Sequence, residues 1–192
     1  MPDPVRKISA VILAGGRGQR MNGQDKGLVP LLGRPMIAWV LERIAPQVDE
    51  LFISANRNLE QYRAFGYLVL EDTLPDFPGP LAGLHRAMEA AAHPLILCAP
   101  CDTPFLPSDL AARLLTGLEG GAAEVAVPFS GGRAHPAICL VRRELRADLG
   151  DFLSAGGRRV GEWQRRLRRV EVPFEECGAF LNINTPAELQ ME

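Results

Sequence analysis

The sequence predicts a doubly wound α/β fold with a mostly parallel sheet. Three observations point there. Strand-length apolar runs alternate with helix-like stretches, two of those runs are apolar at nearly every position, and the segments that follow those two are rich in glycine or bounded by proline. The length of 192 residues suits a single domain spanning 1–192, with no internal repeat, low-complexity tract or linker-like shift to divide it.

Taken in order, strands are expected over 8–13, 51–54, 67–70, 95–98, 125–127 and 137–141, all rich in Val, Ile and Leu. The clearest helix opens at Pro35, an N1-type proline, and sets Met36, Trp39, Val40 and Ile44 on one face that would pack on a sheet. Further helices are expected over 81–92, 110–118 and 142–153. Near-continuous hydrophobicity at 8–13 and 95–98 suits strands buried on both faces, so these two belong at the centre. Ligands of open α/β sheets sit beyond the carboxyl ends of the strands, which directs attention to 14–26 and 99–105.

Composition sets outer bounds. Hydrophobic residues make up 47% and charged residues 23%, enough for a sizeable core. With 21 cations against 23 anions the net charge is −2, which provides no long-range field for nucleic acid or an acidic membrane. No apolar run approaches the ~20 residues that span a bilayer. The opening MPDPVRK passes directly into the first apolar run without the long apolar stretch of a secretion signal, so a cytoplasmic protein is expected. Cys98, Cys101, Cys139 and Cys177 form no secreted-type framework and are expected to stay reduced.

Chemistry concentrates after the first strand. From Leu13 to Gly27 the chain reads LAGGRGQRMNGQDKG, with five glycines in fifteen positions. Two readings fit: a cradle whose amides turn inward on a phosphate chain beside Arg17, Arg20 and Lys26, or a flexible turn with solvated basic residues. The string GxxxxGK[ST] is absent, and Gly16-x-Gly18 is followed by Met21 where a dinucleotide fingerprint needs glycine. Of the 21 cations only Lys7 and Lys26 are lysine, so Lys26 stands out as a compact point charge suited to phosphate.

Asp102 follows the second buried strand in a proline-bounded turn, where a lone hard carboxylate suits Mg2+ shared with substrate phosphates, or caps the helix beyond Pro107. Cys98-Ala99-Pro100-Cys101 spells CxxC, which elsewhere marks redox or zinc chemistry, yet no second pair follows. His85, His93 and His135 are scattered, giving little support to a triad hydrolase. Between Arg158 and Arg169 there are six Arg and one Glu in twelve positions. Arg165, Arg166, Arg168 and Arg169 read as a solvated helix face, while Arg158 and Arg159 follow a Gly-Gly turn and could fork onto a phosphate. Asn182 and Asn184, two apart on an extended run, would point to one side.

LAGGRGQRMNGQDKGL resembles the LAGGxGxRM signature of the nucleotidyltransferase superfamily, and its DKGL ending resembles the molybdenum cofactor guanylyltransferases, the MobA family. Similar blocks run along nearly the whole chain: Ala55-Asn56-Arg57, Glu71-Asp72, Pro78-Gly79-Pro80-Leu81-Ala82-Gly83, Pro100-Cys101-Asp102-Thr103-Pro104 and Asn182-Ile183-Asn184-Thr185-Pro186. The resemblance implies a Rossmann-like sheet of the nucleotide-diphospho-sugar transferase type and transfer of GMP from GTP to Mo-molybdopterin, with Mg2+ as cofactor. Catalytic roles would fall on Arg20, Lys26 and Asp102. The nucleotide would meet Leu13, Ala14, Gly15, Gly16, Lys26, Ser54, Asp72 and Asp102, with Asp102 holding the metal. Family members often carry another polar residue where this chain has Ser54, so the contact from that segment falls on Ser54 or Asn56. The pterin substrate would meet Arg20, Gly23, Arg159, Asn182 and Asn184. Implied partners are cofactor-biosynthesis proteins and apo-molybdoenzymes, with no nucleic acid and no membrane. The competing readings are a cytidylyltransferase or other transferase of the same fold, a regulatory GTP-binding module, and a redox or zinc module built on CxxC.

Overall fold

The computed structural model describes residues 7–14, 25–72, 79–176 and 178–183. In chain order the elements are β1 (Ile8–Leu13), β2 (Pro30–Leu31), β3 (Arg34–Pro35), α1 (Met36–Ile44), β4 (Glu50–Ser54), α2 (Leu59–Arg63), β5 (Leu68–Leu70), α3 (Pro80–Ala90) and β6 (Leu95–Pro100). There follow α4 (Leu110–Glu119), β7 (Val125–Ser130), β8 (Arg133–Ala134), β9 (Cys139–Arg142), α5 (Arg146–Ser154), α6 (Val160–Gln164) and β10 (Arg169–Pro173). The main sheet has the order β10-β7-β9-β6-β1-β4-β5, with β8 added to β7; β2 and β3 form a separate antiparallel hairpin.

The two runs expected at the centre, β1 and β6, pair with each other in parallel from Ile8 opposite Leu95 to Leu13 opposite Pro100. Side chains alternate between two cores, as the pleat requires. Ile8, Ala10 and Ile12 join Leu95, Leu97 and Ala99 under α1 and α4, while Val11 joins Ile96 and Cys98 under α3 and α5. Along that strand order only β9 runs against its neighbours, β6 and β7, so the carboxyl ends of β1, β4, β5, β6, β7 and β10 share one edge with the start of β9.

Several expectations need correction. Pro35 closes β3 and stands at the N-cap of α1, not inside it; its fixed φ of −51° feeds the helix from a hairpin. On α1, Met36, Val40 and Ile44 are fully buried. Arg142 ends β9, so the helix expected from 142 begins as a 3-10 turn and becomes α5 only at Arg146. The arginine-rich run is not a helix face. Only Val160–Gln164 is helical, Arg166 ion-pairs with Asp148 at 3.6 Å, Arg168 with Glu124 at 3.3 Å, and Arg169 opens β10. Arg158 donates to the carbonyls of Leu153 and Gly157, closing the turn after α5, so its guanidinium is engaged by the fold rather than presented as a phosphate fork. Among the described residues, no helix is long and apolar enough to cross a membrane.

Candidate active site

The site grows from backbone bonds that carry the sheet one residue past its strands. Ala14 N–H donates to the Ser54 carbonyl (2.8 Å), Ala55 N–H to that of Leu70 (3.0 Å), and Cys101 N–H to that of Leu13 (3.1 Å). These bonds fix Leu13, Ala14, Ser54, Asp72 and Asp102 along one edge. Asp102 is only 8% exposed. One carboxylate oxygen accepts from Lys26 Nζ at 3.1 Å, while the other is buried without a hydrogen-bond partner. A buried carboxylate with an idle oxygen is costly unless a further positive group completes it. The donor set, one hard oxygen at a sheet edge, therefore fits a divalent cation that takes its other ligands from water and phosphate. Asp102 makes no helix cap; Asp109 holds the N-cap position of α4.

Beside it, Asp72 and Asn56 bond reciprocally. Asn56 Nδ2 donates to Asp72 Oδ2 and Asp72 N–H donates to Asn56 Oδ1, both at 2.8 Å. Burial pushes the Asp72 carboxyl above its ordinary value, opposed by the bond from Asn56, and its Oδ1 is buried without a partner. Ser54 is buried at 3%, packed under α3 so tightly that a Cβ on Gly83 would lie 2.5 Å from its Oγ. Of the two residues weighed for the nucleotide contact, Asn56 is therefore the exposed one.

The C-terminal segment reaches the same edge. Ile183 N–H donates to the Asp102 carbonyl at 2.9 Å, and the Ile183 side chain packs with Leu31 and Met36 beneath the hairpin. This sets Asn182 in the wall of a 360 Å³ cleft with Arg133, His135, Ile138 and Phe180. The His135 ring stacks on Phe180 with centroids 5.1 Å apart, and burial lowers its pKa. Arg159 is placed differently: at the N-cap of α6 its side chain is 84% exposed and pairs with Glu162 at 3.3 Å. Gly15, Gly16, Arg20, Gly23 and Asn184 lie outside the described residues.

The two cysteines of CxxC face opposite cores, Cys98 under α3 and Cys101 under α1 and α4. Both thiols are pushed up, Cys98 by its bond with Cys139 and by burial, Cys101 by burial and the charge of Asp102, so neither is a ready thiolate. Sequence reasoning passed over Asp25, Asn58 and Tyr62, which bond together beside Lys26, and the cleft residues Arg133 and Phe180, and it weighed His135 only as a member of a triad. Asp25 stands inside the glycine-rich loop, but its partners come from an element with no visible periodicity.

A mostly parallel sheet whose edge carries a buried carboxylate paired with a lysine, with no P-loop, defines a nucleotide-handling α/β protein of the transferase type. A sequence profile described as a MobA-like NTP transferase domain matches residues 10–170, and the chain belongs to this family. It is similar to the molybdenum cofactor guanylyltransferase of Ralstonia nicotianae, 46% identical over 196 residues covering 97% of this chain and 96% of the relative. A second such guanylyltransferase, from Cupriavidus necator, is 47% identical over 188 residues, covering 95% and 94%. Among solved structures, molybdopterin-guanine dinucleotide biosynthesis protein A from Archaeoglobus fulgidus superposes with a TM-score of 0.77 at 24% identity, covering 95% of each chain, a likeness of fold.

Proposed function

We propose that this chain is a molybdenum cofactor guanylyltransferase, transferring GMP from GTP to the terminal phosphate of molybdopterin that carries molybdenum and releasing pyrophosphate. The observation that carries the reading is Asp102, buried at the sheet edge with one oxygen on Lys26 and the other free. In the reaction an oxygen of the acceptor phosphate forms a bond to the α-phosphorus of GTP. The bond from that phosphorus to the bridging oxygen breaks, and pyrophosphate leaves with the electron pair. The attacking oxygen is already ionised near neutral pH, so the protein needs no general base. Its work is alignment and neutralisation of charge.

Lys26 would hold the triphosphate as a point charge, together with the amides from Ala14 through Gly16 and the Arg20 guanidinium. Asp102 would hold Mg2+, which when bound offsets charge on the reacting phosphates. Asp72, bonded to Asn56, would face the nucleoside, with Leu13 and Ser54, packed against Gly83, as the floor beneath. Arg20, Gly23, Asn182 and Asn184 would serve the pterin substrate, whose flat ring the cleft beside Asn182 would take, while Arg159, exposed and paired to Glu162, would add little. The reaction would run in the cytoplasm, with cofactor-biosynthesis proteins and apo-molybdoenzymes as its partners. The test is direct: incubate the protein with Mg2+, Mo-molybdopterin and GTP or CTP, and identify the product. A guanine dinucleotide with equimolar pyrophosphate is expected; a cytosine dinucleotide formed in preference would overturn the assignment.

A further inference from the structure

We infer that Tyr62 is a positioning residue for Lys26, acting through Asp25 and Gly27 to hold the ammonium where the triphosphate must meet it. The inference rests on the nucleotidyl-transfer reading above. Tyr62 comes from α2 and is fully buried. Its hydroxyl donates to Asp25 Oδ1 at 2.5 Å, while Asn58 Nδ2 donates to Asp25 Oδ2 at 3.0 Å. Both carboxylate oxygens of the residue just before Lys26 are thus taken. The residue just after is clamped sterically, because a Cβ on Gly27 would lie 2.6 Å from the Tyr62 hydroxyl and 3.4 Å from Cys101 Sγ. Only glycine lets the phenol lie so close to the backbone there.

Between these two held neighbours, Lys26 reaches Asp102 at 3.1 Å. A lysine stem has four rotatable bonds, so its head is placed reproducibly only if its backbone is immobile. The supporting loop shows the same purpose at Asn58, held left-handed at φ 51° where its amide meets Asp25. Phenylalanine would fill the same core volume as Tyr62. A buried hydroxyl is a liability in a core unless bonded, and this one is spent on a charge-assisted bond to Asp25. Burial, then the bond to Asp25, pushes the phenol far above its ordinary pKa, so it remains a donor at every working pH.

The experiment is a thermodynamic cycle on the full chain, titrating Mg2+–GTP by calorimetry into the natural protein, Tyr62→Phe, Lys26→Ala and the double variant, with melting temperatures alongside. Tyr62→Phe is expected to weaken GTP binding roughly fivefold, the scale of one net hydrogen bond, with the chain still folded and its melting temperature lowered by a few degrees through the lost bond to Asp25. Added to Lys26→Ala it should cost less than about twofold more, because there is no ammonium left to place. Equal losses in both backgrounds, or none in the natural one, would overturn the positioning role alone. Unchanged GTP binding in Lys26→Ala would instead overturn the triphosphate reading and this inference with it. If Tyr62→Phe does not fold, Asp25→Asn, which keeps the phenol and removes one acceptor, runs through the same cycle: a loss confined to the natural background supports the positioning role, and an equal loss in both backgrounds, or none, overturns it.

Discussion

Two neighbouring regions of one sheet edge are built by opposite rules. Between Lys26 and Asp102 the site rests on the parallel pairs β6–β1 and β1–β4, where Ser54 and Asp102 are short, buried and set by backbone bonds at the strand ends, and Lys26 reaches in to Asp102. Around Asn182 the antiparallel β9 reverses the chain. The wall there is assembled from a turn and the C-terminal segment, with His135 stacked on Phe180 beside Arg133. Fixed point charges suit a polyphosphate, whereas a stacked aromatic wall with polar ends suits a flat heterocycle. Reversing one strand thus lets a single edge offer two chemistries side by side.

The sharpest way to break this division is Asp102→Asn, which keeps the shape and removes the charge. Turnover, followed by pyrophosphate release, should fall about 10²–10³-fold with the fold intact. A variant retaining more than about a tenth of the activity would mean that the parallel region does not carry the chemistry. Gly83→Ala strains the same region from beneath, since its Cβ would lie 2.5 Å from Ser54 Oγ and 2.8 Å from Leu13 Cδ2. It should cost about 1–3 kcal/mol of stability and raise the KM for GTP more than that for the pterin. The second region is sharpened by Asn182→Ala, expected to raise the pterin KM by roughly tenfold while GTP affinity holds. Arg159→Ala should change it by less than about threefold, because an exposed guanidinium paired to Glu162 has little binding energy to lose. Equal effects of Asn182→Ala on both substrates would dissolve the boundary between the regions.

The parallel region was largely legible in the sequence. Two runs apolar at nearly every position had to be central, and the segments that follow them, which carry Lys26 and Asp102, had to share an edge. What was hidden is of another kind. The bond from Tyr62 to Asp25 joins residues 37 positions apart, through a helix of five residues too short to show a period. The direction of β9 was equally invisible, since a buried strand reads the same either way. The spacing in Cys98-Ala99-Pro100-Cys101 looked like a ligand pair, yet Cys98 lies within β6 and Cys101 one residue beyond it, and the two thiols enter different cores. Arginine density between 158 and 169 mimicked a helix because composition alone does not register where Arg169 starts a strand.

The smallest expected effect concerns pH and separates the regions by sign. His135, in the aromatic wall, and His85, on α3, are both held below the ordinary histidine value of 6.5, chiefly by burial. Near His135 the Arg133 charge lowers it further, against the bond to the Ser130 carbonyl; near His85, Arg146 lowers it and Glu89 opposes. The unfolded chain then takes up protons before the folded one does. Stability from these rings is fully present above about pH 6.5 and is lost as pH falls from there through the lower folded-state values. Asp72, in the parallel region, is raised from 3.8 and so acts with the opposite sign, favouring the folded state as its carboxyl protonates on acidification. Melting temperatures taken from about pH 7 down to about pH 5.5 should therefore fall, and His135→Gln should flatten part of that fall. A slope untouched by His135→Gln would show that the ring is as free to protonate in the folded chain as in the unfolded one, and the aromatic wall would then lose its claim to a dry, ring-shaped site.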